Sequence, residues 1–459
     1  MSHQNSLQTV RIISRCAINS PRTLAEPNPQ CYLTPWDIAM LSADYIQKGL
    51  LFTKSQDHPT ATIIAHIKNS LSLALSHYPP LTRRLVTTVT ADPKHYSVSL
   101  DKNNPAPGVE FVHAVADVIT VGDVVSPEGV DTPEFVNSFF ALNGAVNHDG
   151  HSIPLLVVQV TELVDGIFIA LSLNHTLGDG TSFWHFFGTW SEISRAIING
   201  NDSSGCVKRP PIMKRLWFPE GHMGSIINLP FSHSDQFIER YTPPPLRERI
   251  FHFTTESIAK LKAKANLESN TLKISSFQAL SALVWRSITR ARRLPFTDNT
   301  TCRLATDNRS RLSPSISKDY FGNCIHVVFG TATVGKLLEN NLGWSALLLN
   351  RALAGHTDGK VREWLRLWME NPMVYRLGKL FDNKSVMMGS SPRFDMYGND
   401  FGWGKAVAAR SGYGNKFDGK VSSYPGSEGG GSVDLEICLP PLFMSALETD
   451  IEFMDVVSF

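Results

Sequence analysis

Cysteine is sparse in this chain. Six occur in 459 residues, at Cys16, Cys31, Cys206, Cys302, Cys324 and Cys438, and no two form a C-x-x-C pair. The disulfide framework of a small secreted domain would be denser, and a structural zinc site needs close ligand pairs. Six free thiols in a reducing compartment are therefore expected. An excess of either charge is also missing, since 43 Lys and Arg face 42 Asp and Glu, a net +1. A dedicated nucleic-acid binder would carry a basic excess. No apolar run approaches the ~20 residues that span a bilayer. Met1 to Cys16 has no apolar core of a signal peptide. A cytoplasmic chain without a membrane anchor is expected. Neither an internal repeat nor a long low-complexity tract occurs.

What is present is apolar and aromatic: 42% of the residues are hydrophobic and 10% of the chain is aromatic. That excludes a disordered chain. One hydrophobic core rarely grows past ~250–300 residues, so two globular units are expected. Ile63, Ile64, Ile67, Leu71, Leu75 and Tyr78 recur at helical spacing over 61–78, and Pro79-Pro80 stop that helix. Leu155 to Leu163 and Ile167 to Asn174 read as strands joined by Asp165-Gly166, a hairpin turn. Thr181 is a candidate N-cap for a helix to about 198. Residues 199–245 are rich in Asn, Gly, Ser and Pro and read as a crossover. Beyond it, strands are expected at 250–253, 321–330 and 432–439. Helices are expected at 256–266, after Ser275-Ser276, at 343–354 and 359–380, and from Pro440-Pro441. The fold class is α/β, or α+β, with lobes at 1–198 and 246–459 joined by 199–245. A segment around 385–405 is expected to pack back on the first lobe.

Two segments carry candidate chemistry. In Asn174-His175-Thr176-Leu177-Gly178-Asp179-Gly180, His175 ends an apolar strand, where a neutral imidazole can take a proton near pH 7. Taken alone, a strand-end histidine is more often a structural hydrogen-bonding residue, and an Asp-Gly pair more often a mere turn. In Asp400-Phe401-Gly402-Trp403-Gly404, two glycines let the backbone bend closely around a large ring. It has no Lys-Ser/Thr and opens no helix, so it is a packing turn rather than a phosphate loop.

Together the two segments resemble the motifs of the BAHD acyltransferases, the plant acyl-CoA-dependent transferases, which carry H-x-x-x-D-G in the first half and D-F-G-W-G near the C-terminus. Further pieces look like the family's in the same order: Leu33-Thr34-Pro35-Trp36-Asp37, Ser275-Ser276-Phe277-Gln278-Ala279-Leu280 with Trp285 and Arg286, Asp307-Asn308-Arg309-Ser310-Arg311-Leu312, and Tyr320-Phe321-Gly322-Asn323. The resemblance runs from about Leu33 to the C-terminus. The wording of 148–187 and 384–455 is similar to one subgroup, uncharacterised acetyltransferases that also include an isochorismoyl-glutamate lyase.

The resemblance implies a two-lobed fold of the chloramphenicol acetyltransferase kind, each lobe a mixed sheet with flanking helices. It implies that His175 is the general base of a direct transfer from acyl-CoA to a hydroxyl or amine, without a covalent enzyme intermediate. Asp179 would point away and pair with Arg309, Gly180 would leave room for CoA, and Asp400, Phe401, Gly402, Trp403 and Gly404 would support the fold and the cofactor mouth. Lys273, Ser275 and Ser276, at a helix start, are candidates for the CoA phosphates. Lys260, Lys262 and Lys264 are alternatives that also fit a solvated helix face. Trp36, Ser391 and Arg393 are candidates for the acceptor pocket.

The sequence departs from the family at Pro80-Leu81-Thr82-Arg83-Arg84, where an Ala-Gly pair is replaced. It departs again at Gly389-Ser390-Ser391-Pro392-Arg393, where a Thr-Ser-Trp is absent. No metal is implied, and His148, His151 and His185 match no standard zinc spacing. The implied partners are acyl-CoA as co-substrate and a small-molecule acceptor, with no tightly bound cofactor, nucleic acid or membrane, and a monomeric state. The rival reading is a CoA-independent lyase or cyclase on the same scaffold, and a third is a non-catalytic binding protein.

Overall fold

A computed structural model describes residues 10–21, 32–55, 59–91, 94–101, 108–125, 130–201, 205–215 and 226–458. Cys31 and parts of the 199–245 crossover lie outside the described residues. The first half contains β1 (Arg11–Ile18), α1 (Pro35–Ala39), β2 (Ile46–Thr53), α2 (Thr60–Leu75), β3 (Leu85–Ala91), β4 (Lys94–Leu100), β5 (Val109–Val115), α3 (Val121–Val125), β6 (Leu156–Glu162), β7 (Gly166–Leu173) and α4 (Gly180–Ile198). The second half contains β8 (Arg247–Phe253), α5 (Thr255–Glu268), α6 (Ser276–Arg292), β9 (Asn299–Asp307), β10 (Ile325–Thr333), α7 (Val334–Glu339), α8 (Leu342–Ala354), α9 (Asp358–Glu370) and α10 (Leu377–Leu380). It ends with β11 (Ser385–Gly389), β12 (Ala408–Ser411), β13 (Lys420–Pro425), β14 (Val433–Leu439), α11 (Pro441–Leu447) and α12 (Ile451–Met454).

Two six-stranded mixed sheets carry the molecule, in the orders β1-β5-β6-β7-β2-β12 and β10-β9-β11-β13-β14-β8, and β3-β4 form a separate ribbon. The Asp165-Gly166 hairpin forms, pairing β6 with β7 antiparallel. Every residue of β7 is buried. Ile167, Ile169, Leu171 and Leu173 join the core beneath α2 and α4, while Phe168 and Ala170 join a smaller cluster on the other face. A strand covered on both faces loses the alternation of a half-exposed one.

The second sheet is covered on one face by α5, α6 and α8. Their apolar stripes meet Cys302, Leu304, Val386, Met388 and Val421 in a second core. Its other face turns towards the first lobe, and Tyr424 of β13 belongs to the first lobe's core. The chain crosses between lobes twice more after β11. That strand lies inside the second sheet, whereas β12 adds to the edge of the first beside β2.

Three local expectations change. The helix after the His175 segment starts at Gly180 with Asp179 as its cap, the carboxylate accepting from Ser182 N at 3.1 Å, so Thr181 lies inside the first turn. The expected helix over 359–380 breaks into α9 and α10, because Pro372 offers no backbone donor and disfavours a helical conformation at Asn371. The strand expected from 321 begins at Ile325, and Phe321 to Cys324 form a loop that meets the first lobe.

Candidate active site

β7 runs out at Leu173, so His175 stands at the end of a central strand, and α4 begins five residues later. The loop between them is held by buried polar groups. Asn147 Oδ1 accepts from His175 N at 2.7 Å, and Asn174 donates to the Asn147 carbonyl at 2.7 Å. His175 Nδ1 lies 3.1 Å from Asn323 Oδ1. The orientation of that amide is settled by its other end: Asn323 Nδ2 donates to Asp37 Oδ1 at 2.9 Å and to the His175 carbonyl at 2.7 Å. Since Oδ1 can only accept, Nδ1 carries the ring proton and Nε2 keeps its lone pair. Burial pushes the His175 pKa below the ordinary imidazole value. Its own carbonyl, Asp179 and Asn323 pull the other way without prevailing, and the Lys420 charge adds to the depression. The ring is therefore neutral near pH 7.

Asp179 does not face the imidazole's acceptor side. Its carboxylate takes two parallel bonds from Arg309, at 2.8 and 3.1 Å, and another from Cys324 N at 3.0 Å. Both side chains are buried. Arg309 also donates to Asp307 and to the carbonyls of Tyr320 and Gly322. The bidentate fork is the strong geometry for this pair. Burial raises the Asp179 pKa and Arg309 lowers it, with a net lowering. The pair ties the first lobe to the loop after β9. Nearby, Ser182 Oγ donates to the Gly322 carbonyl and accepts from Gly322 N, both at 2.9 Å.

Gly180 lies against Phe394, whose ring would stand about 3.1 Å from a Cβ placed there. Ser391 accepts from Arg393 N at 3.2 Å, and the Arg393 side chain is exposed. Trp36, the third acceptor-pocket candidate, lies where the two lobes meet. It is 1% exposed, stacks on Trp364 and donates to His326 Nε2 at 3.0 Å, so it packs between lobes. Burial, then the neighbouring His356, pushes His326 down to about 3.

The 400–404 turn does not reach the imidazole. Phe401 is wholly buried against Trp190, Phe187 and Phe52, and Trp403 packs on Phe52. Trp190 lies ten positions into α4, roughly 15 Å along the axis from the Asp179 cap at 1.5 Å per residue. Asp400 Oδ1 accepts from Gly402 N and Gly404 N, at 2.8 and 3.1 Å. Gly402 has φ of 117° and meets Ile198, so this turn both needs positive φ and leaves no room for a side chain.

Lys273 is exposed, and Ser275 caps α6 in a capping box with Gln278, beside Ser276 at the first helical position. Lys260 pairs with Glu256 on α5. Lys260 and Lys264 line a hollow of about 330 Å³ with Leu283, Leu342 and Glu452, on the helical face of the second lobe. His148, His151 and His185 bond Tyr96, Thr87 and Tyr78 respectively. No group of three potential metal ligands occurs among the described residues. Sequence reasoning quoted Asn323 and Asp37 only as motif letters, and it missed Asn147, Ser182 and Phe394. The signal available for Asn323 was its place in Tyr320-Phe321-Gly322-Asn323, next to a buried loop.

Solved structures share this architecture. Vinorine synthase matches with a TM-score of 0.73 at 19% identity, covering 98% of this chain and 99% of that one. TRI101 of F. graminearum, solved with coenzyme A and T-2 mycotoxin, matches at 0.69 and 18% identity over 94% and 99%. The sequence places the chain more closely. An uncharacterised acetyltransferase of Arabidopsis thaliana is 38% identical over 97% of this chain and 99% of its own length. The BAHD acyltransferase DCR of the same plant is 32% identical over 93% and 88%. The family described as "Transferase family" matches residues 9–454. The chain belongs to this BAHD family of acyltransferases, enzymes that transfer groups other than aminoacyl groups. No helix among the described residues is long and apolar enough to cross a membrane.

Proposed function

We propose that this enzyme moves an acyl group from an acyl-CoA to a hydroxyl or amine of a small specialised metabolite, with His175 as general base. The observation that carries the reading is the fixed tautomer of His175, with Nδ1–H bound to an amide that Asp37 orients and Nε2 left basic. In the reaction Nε2 takes the acceptor's proton as its oxygen or nitrogen bonds to the thioester carbonyl carbon. The tetrahedral intermediate then expels CoA thiolate, which recovers the proton from the imidazolium. No cysteine or serine nucleophile is needed. Asp179 and Arg309 hold the loop, and the 400–404 turn holds α4. Lys273, Ser275 and Ser276 are the proposed contacts for the CoA phosphates, and Ser391 and Arg393 flank the acceptor side. The enzyme works as a monomer in the cytoplasm, without a metal or resident cofactor. The relatives named as acyltransferases favour transfer over the lyase or cyclase reading. The test is CoA release by wild type and H175A with a panel of acyl-CoAs and acceptors. A loss of about 10²–10⁴ in rate with unchanged folding is expected. A wild type that neither binds CoA nor turns over any thioester refutes the reading.

A further inference from the structure

A row of side chains on the lobe-facing side of the second sheet remains unused by this mechanism. Arg303 on β9 is in register with Met387 on β11, and Met387 with Lys420 on β13. Their chain neighbours Cys302, Leu304, Val386, Met388 and Val421 point into the opposite, helix-covered core. Arg303, Met387 and Lys420 therefore share the other face, the two cations two strand spacings apart, ~10 Å at the backbone. Phe381 and Phe417 stack at 4.1 Å beside them, with Arg303 over the first ring and Lys420 over the second.

Charge bookkeeping on this face does not balance. Lys416 pairs with Glu248 and, at 3.1 Å, with Glu436. Lys48 of β2 donates to Tyr424 Oη at 2.8 Å, and that hydroxyl donates to Glu436. Two carboxylates thus serve two lysines. Lys420 and Arg303 have no hydrogen bond or ion pair with any described residue, and Arg303 Nε is buried without a partner. An aromatic face attracts a cation but does not neutralise it, and an enclosed cation without a counter-ion is unfavourable. Yet both side chains keep some accessible surface, so they border open space rather than solid core.

One loop links this row to the candidate active site. Gly389, two residues past Met387, lies where a side chain would collide with the Lys420 amine. The loop from Gly389 leads to Phe394, which rests on Gly180 of the His175 loop. The charge of Lys420 is also felt at the imidazole.

We propose that Lys420 and Arg303 form a carboxylate-binding subsite of the reaction chamber, so that one substrate carries an anionic group apart from the CoA phosphates. The subsite rests on the acyl-transfer reading, and it takes a carboxylate either from the acyl group or from the acceptor. Two kinetic arms separate these sources. One compares malonyl-CoA with acetyl-CoA on a neutral alcohol, 4-hydroxybenzyl alcohol. The other compares 4-hydroxybenzoate and malate with their methyl esters, using acetyl-CoA. In one arm the wild type prefers the charged member by tenfold or more in kcat/KM, on the order expected of a charge-assisted hydrogen bond. At pH 8, where His175 is neutral with or without the Lys420 charge, K420M abolishes the preference by raising KM for that member, leaves the uncharged member's kinetics in place, and K420R restores it. Independently, malonate or 4-hydroxybenzoate raises the melting temperature of wild type and K420R but not of K420M. Equal use of charged and uncharged members by wild type, or equal loss on both in K420M, overturns the subsite while leaving acyl transfer intact. Carboxylate stabilisation that depends on Lys420, in a protein that turns over no thioester, overturns acyl transfer and leaves the subsite standing.

Discussion

Replacing Asp179 by asparagine separates a structural aspartate from a catalytic one. Asparagine keeps the size and the N-cap acceptor for Ser182 N, sparing the ~1 kcal/mol that a lost cap costs. It removes the charge opposite Arg309. Removing one partner of a buried ion pair costs about 3–5 kcal/mol, because the other charge stays buried. Arg309 retains Asp307 at 3.0 Å and two carbonyls, which places the cost near the lower end, ~3 kcal/mol. D179A also loses the cap, bringing ~4 kcal/mol, a large share of a typical ~5–15 kcal/mol stability. Urea unfolding at pH 7 reads both, as midpoint shifts at constant slope. The folded pKa of Asp179 lies below its ordinary 3.8. Its stabilisation is therefore complete above the unfolded value and is lost as pH falls through the folded one. The gap between wild type and D179N should stay constant from ~pH 5 to 8 and narrow only below ~pH 4. Folded D179N should keep most of its kcat. A D179N enzyme as stable as wild type but without turnover would refute the structural role.

Other outcomes follow from the same geometry. N323A removes the acceptor that fixes the His175 tautomer, and a hydrogen bond of about 1 kcal/mol translates to a roughly fivefold fall in kcat; an unchanged kcat shows that the tautomer is set elsewhere. Since the His175 pKa is depressed and the base must be neutral, the acid limb of kcat/KM should fall below pH 6.5, and a midpoint at or above 7 contradicts the burial argument. F401A opens a cavity beneath Phe52, Phe187 and Trp190 and should cost about 3–5 kcal/mol in unfolding experiments, with little effect on KM for CoA in the protein that remains folded.

Elements that signal through local chemistry were readable in the chain. The β6–β7 hairpin has its Asp-Gly turn, and α6 has its Ser275 cap and apolar stripe. Elements whose stability comes from distant partners were not. β2 and β12 pair with each other across the whole chain, and β11 is five residues long with no exposed face to create a pattern. Trp36 shows the same limit. Its position in a motif says nothing of the stacking on Trp364 that takes it into the interface.

The candidate site divides along the same line. Short local motifs, read through the family resemblance they carry together, singled out His175, Asp179, Arg309 and the 400–404 turn, because a motif keeps its order and spacing in the chain whatever the fold around it. The direction of the Asn323 amide, the protonated nitrogen of His175 and the row from Arg303 to Lys420 depend on strands and loops drawn from distant parts of the chain. A hydrogen-bond orientation or an unbalanced charge exists only relative to its neighbours, so the tertiary structure alone decided them.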